Sequence, residues 1–408
     1  MNSFSDLGVD SIFVEKLKER FIEKPTEIQS LVVPRLLDGK NIVFRSATGT
    51  GKTFAYLLPV LQALSAEKEN NSQQGLSALI CAPTLELCSQ IKAEIDFLSP
   101  NKQAALLIGS VKIESQIETL KRTRPSVAVG NPGRLLVLAK MGKLKFNSLK
   151  FLILDEADRL TAQECIEETN ELLAVIEKGS RRRMMVNEEE EESGLCLAAC
   201  SATVGAKTAA LLGPLFKSAE IIESEDNEIL RDKIEHWAIF SEKRRKLQTL
   251  RSLLAAIKTK KSRAKTLVFT SRGDEAGIIL LRLQHHHVSA AGLFGKIDGK
   301  PLSGAERKEA LDSFREGKVD VLVSTDLAAR GLDITGITHV IALDVPQDGE
   351  VYIHRCGRTA RAGKRGVMIT VGDETQMRLL ASLEKKLKIR VFPKELYEGR
   401  ICAPLPVE

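Results

Sequence analysis

The sequence predicts an α/β protein of two domains, each a mostly parallel sheet covered by helices, joined by a short linker. Three observations predict it. Short apolar runs recur and end in polar turns, without the in–out alternation of a half-exposed sheet. Unbroken apolar character of this kind marks strands covered on both faces. Stretches of helical period separate the runs, as in "TFAYLLPVLQALSAEKEN", so strand alternates with helix. The whole pattern then restarts after a polar stretch. A length of 408 residues suits two or three domains.

In the first half the predicted strands are "NIVFRSA" (41–47), "ALICAPT" (78–84), "SVAVGNP" (126–132), "KFLILDE" (150–156) and "LCLAACSAT" (195–203). In the second half they are "TLVFTS" (266–271), "VSAAGLFG" (288–295), "VDVLVS" (319–324), "THVIALD" (338–344) and "GVMITV" (366–371). The polar, aperiodic "ESEDNEILRDK" is read as the linker. The expected organisation is therefore a first domain over 1–222, a linker over 223–233, a second domain over 234–395 and a short tail over 396–408. Within the first domain, "KGSRRRMMVNEEEEESG" carries three arginines and then five glutamates. It is expected to be a solvated loop, an insert over about 179–193.

Composition narrows the function classes. The formal net charge is +6, which permits a polyanionic partner without demanding one. Aromatics are only 4%, too few for an extended series of base-stacking platforms. Cys81, Cys88, Cys165, Cys196, Cys200, Cys356 and Cys402 form no CxxC pair, which argues against a disulfide framework or a zinc site and fits a reducing cytoplasm. No apolar run approaches the roughly 18 residues of a membrane span, and the N-terminus lacks the features of a signal peptide. "HHH" (285–287) suggests a metal cluster, but adjacent side chains point to different faces and cannot converge on one ion.

"SATGTGKT" (46–53) follows a predicted strand and precedes a predicted helix. Small residues let the backbone N–H groups of Thr48, Gly49, Thr50 and Gly51 close around phosphates, aided by the helix N-terminus. Lys52 can reach the terminal phosphates, and the Thr53 hydroxyl can sit on Mg²⁺. The phosphate-loop pattern asks for glycine at position 46, where this chain has serine. A phosphate-bound metal needs an acid on a neighbouring strand, and "FLILDEAD" supplies it. Asp155 would hold Mg²⁺ through water, and the adjacent Glu156 would orient and deprotonate the attacking water. Both stand at the carboxyl end of a buried strand, where open α/β sheets bind ligands.

"SATGTGKT", "DEAD" and "SAT" in this order resemble the DEAD-box family of ATP-dependent RNA helicases, whose two domains are RecA-like. The resemblance runs from about Phe4 to about Gly372. It implies ATP and Mg²⁺ as cofactors and RNA as partner, bound with little sequence preference, in a cytoplasmic protein with room for protein partners. Nothing in the sequence marks a dedicated oligomerisation segment. "FIEKPTEIQ" (21–29) resembles the family's Q motif, in which Gln29 would read the adenine edge. Phe4 resembles an upstream aromatic that stacks on the base; by itself it reads equally as a core contact. "APTLELC" resembles an RNA-contacting motif carrying Pro83 and Thr84, with Leu85 where the family has arginine. "GNPGR" carries Gly133 and Arg134, with Asn131 for the usual threonine, and "IGSV" (108–111) keeps only one glycine of a two-glycine motif. Ser201 and Thr203 would help couple hydrolysis to strand separation.

In the second half, "YIHRCGRTARAG" (352–363) keeps the HRxGRxxR pattern. The resemblance assigns Arg358 and Arg361 to the charge developing on the γ-phosphate and His354 to coupling. "STDLAARGLDI" (324–334) places Thr325 on RNA phosphate and Asp333 on the ribose. Arg307 would contact RNA, although Gly304 replaces a usual glutamine and the preceding loop is a residue longer. Two other readings stay open. One is a DNA-directed translocase, against which the Q motif and "DEAD" stand. The other is an ATP-gated RNA clamp or assembly scaffold with weak unwinding, kept open by Leu85, Ser110 and Gly304.

Overall fold

The computed structural model describes residues 3–46, 50–68, 75–99, 104–184, 195–201, 219–223, 233–258, 264–297, 300–329, 334, 336–360 and 364–404. The chain divides into two compact units, with the change-over at Glu225/Asp226.

In the first unit, strands β1 (Ile42–Arg45), β2 (Ala78–Cys81), β3 (Ala104–Leu107), β4 (Val127–Gly130), β5 (Phe151–Leu154), β6 (Cys196–Ser201) and β7 (Glu220–Glu223) form one parallel sheet in the order β3-β4-β2-β5-β6-β1-β7. The period of two sorts each strand's apolar residues between two cores. Ile42, Phe44, Ile80 and Ile153 join one, whereas Val43, Leu79, Leu152 and Leu154 join the other. Such strands must be apolar at every position, which is why their runs stand out in the sequence.

The second unit repeats the plan. Strands β8 (Ile234–Phe240), β9 (Lys265–Phe269), β10 (Ala290–Leu293), the two-residue β11 (Lys296–Ile297) and β12 (Lys300–Pro301), β13 (Val321–Ser324), β14 (Ile337–Ala342), β15 (Gly366–Gly372), β16 (Val391–Tyr397) and β17 (Arg400–Cys402) follow in turn. The main sheet runs β10-β13-β9-β14-β15-β8-β16-β17 and is parallel except for the β16–β17 pair. Leu267, Phe269, Val340 and Ala342 face one core; Val268 and Ile341 face the other.

Three expectations need correction. The segment expected as a tail from 396 instead completes β16 and contributes β17, extending the sheet by an antiparallel pair. The charged insert does not begin as a loop: a helix spans Ile166–Met184, so its arginines are helical, while the glutamate run lies outside the described residues. Seven strands, β3, β7, β8, β11, β12, β16 and β17, are also missing from the sequence-based prediction. The stretch before Gly304 contains the antiparallel β11–β12 pair.

Candidate active site

The phosphate-loop region is tied down from several directions. The Ser46 backbone N–H donates to the Ser201 carbonyl at 3.2 Å, binding the end of β1 to the end of β6. The Ser46 and Thr50 hydroxyls lie 2.5 Å apart and both are buried. The serine in place of glycine thus supplies a side-chain bridge across the loop. Lys52 begins the helix Lys52–Lys68, and its ammonium donates to the Ser46 carbonyl at 2.9 Å. Thr48 and Gly49 lie outside the described residues.

Gln29 is buried beside this loop. Its Oε1 accepts from the Thr26 N–H at 2.9 Å, completing the cap of the helix Glu27–Leu37, and its Nε2 donates to the Gly51 carbonyl at 3.0 Å. One amide hydrogen and one lone pair remain for another partner. Gly51 has φ +89°, and a Cβ there would come within 2.3 Å of Gln29 Nε2, so conformation and space both require glycine. Phe4 is 1% exposed within the first unit's core, which leaves no ring face for a base and corrects its reading as a stacking residue. The exposed aromatic of the same region is Phe21, 91% accessible with φ +60°.

Asp155 follows β5 and is buried. Three donors converge on its carboxylate. The Tyr56 hydroxyl donates to Oδ2 at 2.8 Å; the Cys200 thiol and the Glu156 backbone N–H donate to Oδ1 at 2.8 and 2.9 Å. Burial raises the Asp155 pKa, opposed by the Cys200 thiol, by the Lys52 charge and by the Tyr56 hydroxyl. Burial also pushes the Tyr56 hydroxyl and the Cys200 thiol far up, so both stay protonated and donate. Tyr56 thus fixes one oxygen of the carboxylate expected to hold Mg²⁺. No sequence motif pointed to Tyr56 or Cys200.

Glu156 occupies the left-handed region, φ 50° and ψ 52°, at the turn from β5 into the short helix Ala157–Leu160. A non-glycine residue there costs about 1–3 kcal/mol, and such strain gathers at functional sites. Its Oε2 is buried without a hydrogen-bond partner, and the Arg159 Nε is 4.0 Å away. A buried carboxylate oxygen with an unused lone pair suits a group that receives a proton. The oxygen donors of Thr53 and Asp155 match Mg²⁺, a hard cation that takes one or two carboxylates and otherwise substrate phosphates and water. Among the described residues no group of three or more His, Cys, Asp or Glu could hold a metal by itself.

The candidate RNA contacts already have structural partners. Thr84 caps the helix Leu85–Leu98, accepting from the Leu87 N–H at 3.2 Å, and Pro83 precedes it. Arg134 donates to the carbonyls of Gly109 and Val111, each at 3.0 Å, and to Gln116 Oε1 at 3.1 Å. It therefore holds the 108–111 loop in place. A Cβ on Gly133 would meet the Glu168 carboxylate at 2.8 Å, so a larger residue there would displace that side chain. Asn131 precedes the helix Pro132–Lys140 without capping it, and its Oδ1 is buried without a partner.

In the second unit, Thr325 follows β13 and accepts from the Ala328 N–H at 3.4 Å. Arg307 lies in the first turns of the helix Gly304–Arg315, with its Nε buried and without a partner. His354 and Arg358 are buried, and Arg358 Nε donates to the His354 carbonyl at 3.1 Å. Arg355 is 1% exposed and forks onto both Asp326 oxygens at 2.7 Å, with Asp344 Oδ1 also at 2.7 Å. Thr203, Asp333 and Arg361 lie outside the described residues. Of the three histidines, His285 ends the helix Gly273–His285, His286 Nε2 lies 3.1 Å from Arg251, and His287 adopts φ +57°.

Comparison with known proteins agrees with this geometry. The family model described as DEAD/DEAH box helicase matches residues 26–212, and that described as helicase conserved C-terminal domain matches 245–363. The ATP-dependent RNA helicase CshA of Listeria monocytogenes serovar 1/2a (strain ATCC BAA-679 / EGD-e) is 34% identical over 395 residues, covering 96% of this chain and 70% of the relative. Among solved structures, S. cerevisiae Dbp5 bound to RNA and ADP BeF3 superimposes with TM-score 0.82 at 24% identity, covering 97% of this chain and 96% of that one. Mss116p bound to ssRNA and AMP-PNP gives 0.83 at 24% identity, covering 97% and 80%. The structural likenesses bear on the fold, two RecA-like units. With the family models and the CshA identity beside the Lys52–Asp155–Glu156 arrangement, the chain belongs to the DEAD-box family of ATP-dependent RNA helicases, enzymes that hydrolyse ATP.

Proposed function

We propose that this chain binds ATP with Mg²⁺ and RNA, locally separates short RNA duplexes or remodels RNA–protein complexes, and releases the RNA after hydrolysis. The observation that carries the catalytic part is the Asp155–Glu156 pair: one carboxylate fixed by three donors, the next buried with an oxygen to spare. Thr53 and Asp155 would hold Mg²⁺, which when bound would neutralise phosphate charge. Glu156 takes a proton from the attacking water at Oε2. Lys52 turns from the Ser46 carbonyl to the terminal phosphates, a short swing for a flexible side chain. Gln29 offers its remaining donor and acceptor to adenine. Arg358 and Arg361 stabilise charge on the transferred phosphoryl group, and Asp333 takes the ribose. Pro83, Thr84, Gly133, Arg134, Arg307 and Thr325 form the RNA face, read through phosphates and 2′-hydroxyls and so with little sequence preference. Ser201, Thr203 and His354 couple the two ligands.

The test is steady-state ATPase activity with single-stranded RNA, DNA of the same sequence, or neither. RNA alone is expected to stimulate. Glu156→Gln is expected to keep ATP and RNA binding while abolishing turnover; a variant that turns over normally removes Glu156 from the role of base. The clamp reading gains support from Arg134, whose N–H groups already serve the 108–111 loop. It predicts ATP-dependent RNA binding without strand separation of a short duplex.

A further inference from the structure

We propose that the face of the second unit formed by Arg390, Phe392, Lys394 and Trp237 is a second binding surface for single-stranded RNA, separate from the Thr325 region. The proposal rests on the RNA-binding reading above and extends it to a part of the fold that none of the family motifs occupies.

β16 pairs with β8 so that Phe392 stands opposite Trp237 and Lys394 opposite Ile239. Residues two apart on a strand share a face, so Arg390, Phe392 and Lys394 line up beside Trp237. Two cation–aromatic pairs result. The Arg390 guanidinium lies 5.0 Å from the centre of the Phe392 ring, and the Lys394 ammonium 5.4 Å from that of Trp237. Phe392 is 38% exposed, with the Arg390 guanidinium beside its ring. Trp237 is half-buried, resting on the adjacent core and donating its indole N–H to Glu235 at 3.2 Å.

Charge points to the occupant. Between Lys385 and Arg400 lie six basic side chains (Lys385, Lys386, Lys388, Arg390, Lys394, Arg400) against Glu395 and Glu398. This segment therefore carries a local net charge of +4, six basic side chains against two acidic ones. Exposed ring faces interleaved with cations suit single-stranded nucleic acid, whose bases stack while its phosphates pair with arginine and lysine. The lysines argue against a protein partner, since interface cores are depleted in lysine. The sheet order separates β16 from β13, which leads to Thr325, by five strand spacings, about 24 Å at roughly 4.8 Å each. Only an RNA long enough to leave the Thr325 region could reach both.

Trp237 is the one tryptophan of the chain, so its fluorescence reports on this surface directly. The full chain is titrated with a short oligouridylate, a long one, and polyglutamate. The expected result is saturable quenching by the long RNA alone. Phe392→Ala is expected to weaken long-RNA binding by about 5- to 100-fold, the range for loss of one stacked base, and Arg390→Gln to weaken it with a shallower salt dependence. Neither should alter short-RNA affinity or ATPase activity without RNA. Arg390→Gln touches no core packing and keeps the test valid if Phe392→Ala unfolds. Unchanged long-RNA affinity in Arg390→Gln overturns the proposal, as does quenching by polyglutamate but not by RNA. Failure of the short RNA to bind or to stimulate the ATPase would instead overturn the RNA-binding reading itself.

Discussion

Tyr56 and Cys200 set the position of the Asp155 carboxylate, and neither is a metal-holding residue. With the Tyr56 hydroxyl gone, Oδ2 of the buried carboxylate loses a donor. A hydrogen bond to a charged group is worth about 1.5–3 kcal/mol. Tyr56→Phe is therefore expected to raise the Mg²⁺ concentration for half-maximal ATPase by about tenfold or more, with a parallel loss in the Mg²⁺-dependent part of nucleotide affinity. Cys200→Ala should act in the same direction, and Cys200→Ser should restore most of the loss. A Tyr56→Phe enzyme with unchanged Mg²⁺ dependence would make the tyrosine a packing residue. The acid pair itself was legible, because two carboxylates ending an apolar strand are unusual. Its holders were not: Tyr56 lies 99 residues from Asp155 in the chain and Cys200 lies 45, and only the sheet order brings them together. Phe4 shows the opposite error, since a motif position says nothing of burial.

Elements were legible where both faces are covered, and illegible at the edges. β5 is buried at every position and reads as a strand at sight. β7 buries only Ile222 of its four residues, and β16 buries none fully and is interrupted by Pro393. β8 mixes buried, half-buried and exposed residues, so it lacks the continuous run that marks the central strands. What joins the elements of the second unit is Arg355, on the helix Gly349–Cys356. It reaches Asp326 after β13 and Asp344 after β14. Removing it leaves two carboxylates beside each other without their cation. Arg355→Ala is expected to destabilise the second unit by about 3–5 kcal/mol, read as a lower urea midpoint. Arg355→Lys should recover only part of this, because an ammonium cannot reproduce the fork onto both Asp326 oxygens. Equal stability of the lysine variant and the parent would reduce the network to a simple charge effect.

At the scale of the whole molecule the chemistry is divided between the units. The proposed site residues Lys52, Asp155 and Glu156 belong to the first, and Thr325 and Arg358 to the second. On the roles proposed above for Lys52, Glu156 and Arg358, the first unit alone should hydrolyse ATP slowly. If RNA favours the arrangement in which both contribute, it must also favour ATP binding, and linkage fixes the size of the effect. The factor by which saturating RNA tightens a non-hydrolysable ATP analogue must equal the factor by which that analogue tightens RNA. A coupling of about 1–3 kcal/mol corresponds to about 5- to 150-fold. Both factors can be measured by equilibrium titration in either order, with Glu156→Gln and ATP as an independent route to the same number. Equal factors well above one are expected with RNA, and a factor near one with DNA of the same sequence. A factor near one with RNA as well would mean that the two ligands bind without sensing each other. Hydrolysis would then have nothing to release, and the unwinding cycle proposed for this chain would fail at its central step.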